Sequence, residues 1–269
     1  NGYVVAQILG PPVAAALFVI VGGPATFVVI AAGYGIAAVA MVGVVDPPST
    51  AVSTGSLLRD AWQGLVYTWR NPTLRGLGFA ISALNITGGM TTIVIPLLVI
   101  QRLGLGPGAV GVPFAAAGLA GMASSLYFGR LDTRGREWRM LLLPALGQAA
   151  AVALLLPLGA AAPAGAHGSI AVVTGFAIVV ASSAISGALS GPLDIALFTV
   201  RQRRTDPAWM GRAFAVSMSF NFLGYPFGAA LAGNVAAASI TASIAIGVVA
   251  CFLAAGFIAT MVPRTDGPG

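Results

Sequence analysis

Hydrophobic positions in this chain come in long unbroken runs. They do not show the alternation of a half-buried strand or the one-sided stripe of a soluble helix. Eight runs stand out, near 2–22, 25–45, 76–101, 109–128, 139–160, 169–198, 212–233 and 238–262. Each supplies the roughly 20 residues that a helix needs to cross about 30 Å of hydrocarbon. Gly22-Gly23-Pro24 closes the first run, Asp46-Pro47-Pro48 the second, the stretch from Gly104 to Gly108 the third and Pro263 the last. Glycine and proline inside the runs do not demote them, because neighbouring helices can satisfy the backbone groups they free. The ten-residue alternation of barrel strands is missing. The first run is not a signal peptide: no basic stretch precedes it and Gly10-Pro11-Pro12 falls in its middle.

One connection, 46–75, has a different period. Leu58, Trp62, Leu65, Val66 and Trp69 recur at helical spacing, with Arg59, Asp60, Gln63 and Arg70 opposite. This pattern predicts a short amphipathic helix at the membrane surface.

Composition sharpens the reading. The 269 residues are 58% hydrophobic and only 7% charged, with mean hydropathy +0.94; soluble domains carry about 25% charge. Too few charges exist to cover a water-exposed surface, and the hydrophobicity excludes disorder. Cys251 stands alone, so there is no disulfide framework, and one histidine with one cysteine predicts no chelating metal site. The net charge of +6 does not predict a nucleic-acid partner. All 13 basic residues are arginine, clustered between apolar runs, which is how topology is encoded. With the first residue on the cytoplasmic side, inner connections hold Arg59, Arg70, Arg75, Arg130, Arg134, Arg136, Arg139, Arg201, Arg203, Arg204, Arg212 and Arg264, and outer ones hold only Arg102. Both ends of the chain are then cytoplasmic. All four tryptophans fall in the same inner connections, as interfacial anchors do.

The chain also repeats itself. Gln7 to Leu17 aligns without a gap on Asn221 to Leu231: Leu9, Gly10, Pro12, Ala15, Ala16 and Leu17 match Leu223, Gly224, Pro226, Ala229, Ala230 and Leu231. Small residues there let helices approach closely, and Gly228 continues the series on the second copy. Each copy is followed by a second apolar run ending near a proline, so the period is six helices. Two complete copies would make twelve helices, of which this chain holds the fifth to the twelfth. The absence of an initiator Met before Asn1 fits a fragment lacking four preceding helices.

Two six-helix halves joined by a long cytoplasmic connection resemble the major facilitator superfamily of secondary transporters. Three motifs carry the resemblance. Gly10-Pro11-Pro12-Val13-Ala14-Ala15 resembles the G-P-x-x-G-G signature on helix five of superfamily exporters, with alanine at both final glycines; a proline-bent helix with a small packing face explains it equally well. Gly129-Arg130-Leu131-Asp132-Thr133-Arg134-Gly135-Arg136 resembles the family's cytoplasmic G-x-L-x-D-R-x-G-R-R loop, one position short before the acid. The resemblance implies a latch in which Asp132 meets a helix N-terminus; a solvated loop that merely sets topology remains the alternative. The stretch from Pro192 to Val216 and the following Gly224 to Gly233 are similar to an exporter branch that includes enterobactin exporters and the transmembrane secretion effector group. The resemblance implies an all-α membrane fold, of which eight helices are present here. Residues 1–45 would close the first half, 46–75 link the halves and 76–269 form the second half.

Polar residues within the spans are candidates for the transport pathway. Ser183, Ser186, Ser190 and Asp194 share one face of the sixth run, with Pro192 among them. Asp194 is the single acid inside a span. It is either a protonation or substrate-contact site or half of an ion pair with Arg201, Arg204 or Arg212. Ser82, Asn85, Gly89 and Thr92 share a face of the third run, and Ser217, Asn221 and Gly228 a face of the seventh. With Gln7 they are candidates to line a central cavity; interhelical hydrogen bonds are the competing role for each. A membrane enzyme would need paired acids or a nucleophile and base, which the runs lack. The expectation is a bacterial inner-membrane transporter without cofactor, driven by the proton gradient. It would export a small molecule, with uptake by the same fold as the rival.

Overall fold

A computed structural model describes residues 2–43, 56–161 and 168–264. Among these the regular structure is helical. Helix α1 (Gly2–Met41) covers the first predicted run and the second as far as Met41, and the break between them is sharp: Gly22 sits at φ 79°, ψ 166°, a backbone geometry open to glycine. The second predicted break, at Asp46-Pro47-Pro48, lies outside the described residues, as does His167.

The remaining runs appear as α3 (Pro72–Leu97), α4 (Gly111–Phe128), α5 (Glu137–Ala153) with its short continuation α6 (Leu156–Ala160), α7 (Ser169–Arg203), α8 (Met210–Ala238) and α9 (Ile240–Met261). The amphipathic segment forms α2 (Leu57–Arg70). Local sequence explains the ends. Asn71 caps α3, its Oδ1 accepting from the Thr73 and Leu74 amides, and Pro72 needs no donor at the first position. Ser239 does the same for α9. Pro96 is followed by a wider turn over Leu98–Arg102, and Gly104 at φ 68° ends it.

Among the described residues, six helical stretches are long and apolar enough to span a bilayer. The run at 212–233 is fully helical within α8 but falls outside that set. Arg212, Ser217, Ser219 and Asn221 lower its apolarity, and Ser217 and Asn221 are buried against other helices rather than facing lipid. The run at 2–22 is the first limb of α1.

Helices α3, α4, α5, α7, α8 and α9 pack as one bundle: α3 lies against α8 and α9, α4 against α7, and α5 between α7 and α9. One apolar cluster at the arginine-rich end joins Leu77, Leu141, Leu197 and Ile258; another at the far end joins Val94, Leu98, Leu155 and Val179. Helix α7 has 35 residues, roughly 52 Å at 1.5 Å per residue, so it projects well beyond the hydrocarbon. Helix α1 leans on α4, and every described residue from 27 to 43 is exposed, including Phe27, Tyr34 and Ile36. A helix apolar on every side belongs in lipid or against other helices.

Helix α2 meets the bundle with its polar face. Asp60 pairs with Arg212 at 3.2 Å, Arg212 donates to Gln63 Oε1, and Tyr67 stacks on Trp209 with centroids 5.1 Å apart. Leu58, Trp62, Leu65 and Trp69 face outward. Lipid headgroups suit such a face.

Candidate functional site

The serine stripe of α7 faces two environments. Ser186, Ser190 and Asp194 line a partly open cavity of about 250 Å³ among α3, α5, α7 and α9, with Asp194 itself exposed. Ser183, one turn away, is buried and its hydroxyl has no partner among the described residues. Pro192 is also buried, within the helix and between the two polar positions that flank it.

Asn85, Thr87 and Thr91 enter the cavity from α3, Gln148 from α5 and Cys251 from α9. Ile81, Leu84, Val152 and Leu193 supply apolar wall. The polar groups are oriented by bonds to backbone. Ser190 Oγ donates to Gly187 O at 2.7 Å, Thr91 Oγ1 to Thr87 O at 3.0 Å and Thr87 Oγ1 to Gly247 O at 2.8 Å. Gln148 Nε2 donates to Ser186 O at 3.0 Å, and Asn85 Nδ2 to Asn221 O at 2.9 Å.

Asp194 has no hydrogen bond or ion pair among the described residues, and the arginines proposed for it are engaged elsewhere. Arg212 holds Asp60. Arg204 donates to Thr73 Oγ1 and Pro263 O. Arg201 is fully buried between α7 and α8. The Asn221 carboxamide satisfies both neighbours when its oxygen is assigned to the atom 2.7 Å from Arg201 Nη2, as acceptor, and its nitrogen to the atom 3.1 Å from Ser217 O, as donor. The Phe198 and Phe214 rings lie 5.9 and 5.5 Å from the guanidinium. The ion-pair reading of Asp194 is therefore not what this geometry contains.

Several other candidates sit in a helix seam. Ser82 Oγ donates to Phe220 O at 2.7 Å, and Thr92 bonds Tyr225 Oη at 2.6 Å, both across α3 and α8. Gly224 and Gly228 of α8 lie directly on the carbonyls of Ser82 and Ile86, and Gly89 of α3 on that of Tyr225. A Cβ at any of the three would overlap backbone. Pro226 lies between the two α8 glycines, on the exposed side. Ser217 is buried, and its hydroxyl has no partner among the described residues. Asn85 belongs to both the seam and the cavity. Gln7, Gly10, Pro11 and Pro12 lie in the first limb of α1, and their side chains fall outside the described residues.

In the 129–136 loop, Asp132 is exposed and its Oδ1 accepts from the Arg134 amide at 3.1 Å, closing a turn on itself. Gly129 ends α4, and Gly135 takes φ 74°, which explains the glycine at that motif position. Arg134 and Arg136 are exposed. The next residue, Glu137, is buried and pairs with Arg203 at 2.8 Å, tying α5 to α7.

Sequence reasoning missed Thr87, Thr91, Gln148 and Glu137. Gln148 carried a usable signal as a lone amide within an apolar run. Thr87 and Thr91 lie on a neighbouring face of α3 to the stripe 82, 85, 89 and 92, and nothing in one sequence says which face meets which helix.

The sequence model described as Major Facilitator Superfamily matches residues 1–184. An uncharacterised MFS-type transporter of Sinorhizobium fredii, y4rN, is 36% identical over 261 residues, covering 96% of this chain and 60% of that protein. The chain thus spans 60% of the length of this curated relative. No solved structure matches it.

Proposed function

Because the chain belongs to the major facilitator superfamily, we propose that it forms the larger part of a secondary active transporter working by alternating access. It is a multi-pass membrane protein. In this reading residues 1–45 complete a first six-helix half, 46–75 link the halves and 76–269 form the second. Both ends face the cytoplasm of a bacterial cell, and the membrane is the inner one. The transported species is a small molecule, and the direction is outward, in exchange for protons.

One observation carries the proposal. Asp194 is an acid without an ion-pair partner in a polar cavity among four long apolar helices. An intramembrane acid costs about 2.5–3.5 kcal/mol on insertion scales, which a pathway role accounts for. Asp194 is the proton-carrying group in this scheme. The self-closed 129–136 turn is the cytoplasmic latch, with Asp132 free to change partners as the halves rock.

Everted vesicles containing the full-length protein test this. With the interior acidified, a transported compound should dissipate the gradient, read by acridine-orange fluorescence. Asp194→Asn should abolish that response at unchanged expression, across pH 6 to 8. A response of undiminished size in Asp194→Asn removes the residue from the mechanism. Gradient-driven movement of compound in the same direction as protons makes the protein an uptake permease.

A further inference from the structure

The cavity around Asp194 has a chemical sign. Its lining contains one acid and no basic side chain. The hydroxyl hydrogens of Ser190, Thr91 and Thr87 are all committed to backbone carbonyls. Gln148 and Asn85 each commit one N–H in the same way. What remains facing the space is two carboxylate oxygens, two amide oxygens, hydroxyl lone pairs, the Ser186 hydroxyl and one N–H each of Gln148 and Asn85, so the one formal charge in the lining is negative. The buried guanidinium of Arg201, on the same helix, is outside the lining and is directed at Asn221 and Phe214 of α8. Ile81, Leu84, Val152 and Leu193 supply hydrocarbon beside the oxygens.

We infer that this cavity, which lies inside the second six-helix bundle, binds a small organic ammonium ion. Its N–H donors are held by Asp194, Gln148 Oε1 and Ser190, and its apolar body lies against the leucine and isoleucine wall. Size limits the ligand. About 250 Å³ equals on the order of eight water-sized groups at ~30 Å³ each. An ammonium carrying one small ring is of that size. An anion is repelled by the ionised carboxylate, and a neutral molecule brings it no counter-charge. The inference deepens the transport reading above and rests on it, since ammonium and proton then compete for one carboxylate.

Equilibrium binding to the purified full-length protein, with no gradient, tests it. Phenethylammonium, 2-phenylethanol and phenylacetate share a ring and near-equal size and differ in charge. Calorimetry should find phenethylammonium bound at least tenfold more tightly than the other two. Asp194→Asn should weaken it at least tenfold, and Gln148→Leu several-fold, each at an unchanged melting profile. Equal affinity for the alcohol, full affinity in Asp194→Asn, or no binding of any of the three would overturn the proposal. Displacement of the ammonium by NaCl but not by equal KCl would assign the site to an alkali ion and overturn it as well. Vesicle transport can fail while this binding stands, so the two readings are separable.

Discussion

Two seams in the bundle use the same device with different stiffness. In one, α8 lays Gly224 and Gly228 on the backbone of α3; in the other, α7 lays Gly187 and Gly191 on the backbone of α4. Both pairs are glycines four residues apart, the spacing that lets membrane helices touch along one face. The α3–α8 seam adds three cross-helix bonds, from Ser82, Asn85 and Thr92. The α4–α7 seam has Ser124 Oγ donating to Ala188 O. Surroundings differ as well. Helix α3 is also held by α9, whereas Pro113 is the buried residue of α4, whose outer side shows Val112, Leu119 and Leu126. Van der Waals contact between smooth faces has no preferred register; hydrogen bonds do. The first seam is thus the more firmly registered. In the second, α4 is held to α7 by the Ser124 bond and is the freer partner, because α7, bearing Asp194, is tied to α5 by Glu137 and Gln148.

The largest effect should come from filling the glycines. Gly228→Ala places a methyl on the Ile86 carbonyl, and α3 has α9 behind it and cannot retreat. We expect a loss of about 2–4 kcal/mol, at or above the usual overpacking cost, read as a lower melting temperature of the full-length protein. Gly187→Ala makes an equally close approach to Ala117 O, but α4 is backed more lightly, by α1, than α3 is by α9, and yields more readily, so about 1 kcal/mol is expected. Gly233→Ala, with nothing within 4 Å, should stay within about 0.5 kcal/mol. Equal losses at Gly228 and Gly187 would erase the distinction between the seams.

Next in size is the polar core beside the first seam. Asn221→Leu removes the oxygen that accepts from Arg201, leaving a buried guanidinium among Phe198, Phe214 and Met218. A buried charge that loses its hydrogen-bond partner should cost about 2 kcal/mol. Pairing it with Arg201→Met should recover much of that, because an apolar pair of similar volume needs no partner. Failure of the double variant to recover would place the value of Asn221 in its bond to Ser217 instead.

What the sequence disclosed and what it withheld follow from the same geometry. Breaks are local, so Gly22 and Gly104 mark the ends of runs without any tertiary information. Spacing on one helix is local too: Ser186, Ser190 and Asp194 do enter one cavity. Pairing between helices is not local. Ser82 and Thr92 look as suited to a pathway as Asn85, and only the position of α8 turns them into seam bonds. Arg201 reads as one more topological arginine beside Arg203 and Arg204. Its burial depends on Asn221, twenty positions on and across a turn. The same applies to Glu137, whose partner Arg203 lies at the far end of α7.

The smallest expected effect tests the comparison most directly. Membrane hydrogen bonds between helices average about 0.6 kcal/mol, because the unfolded helix in lipid finds other partners. Ser82→Ala should therefore cost about that much, and so should Ser124→Ala. Stability alone cannot separate the seams at this level; exchange can. Ser82→Ala leaves the Asn85 and Thr92 bonds to hold register, so amide exchange in α8 should hardly change. Ser124→Ala removes the side-chain bond across the α4–α7 seam, and amides of α4 near 117–125 should exchange several-fold faster at almost constant melting temperature. Protection in α4 that is as insensitive as in α8 would mean that glycine packing alone fixes the register. The α4–α7 seam would then be as rigid as its counterpart.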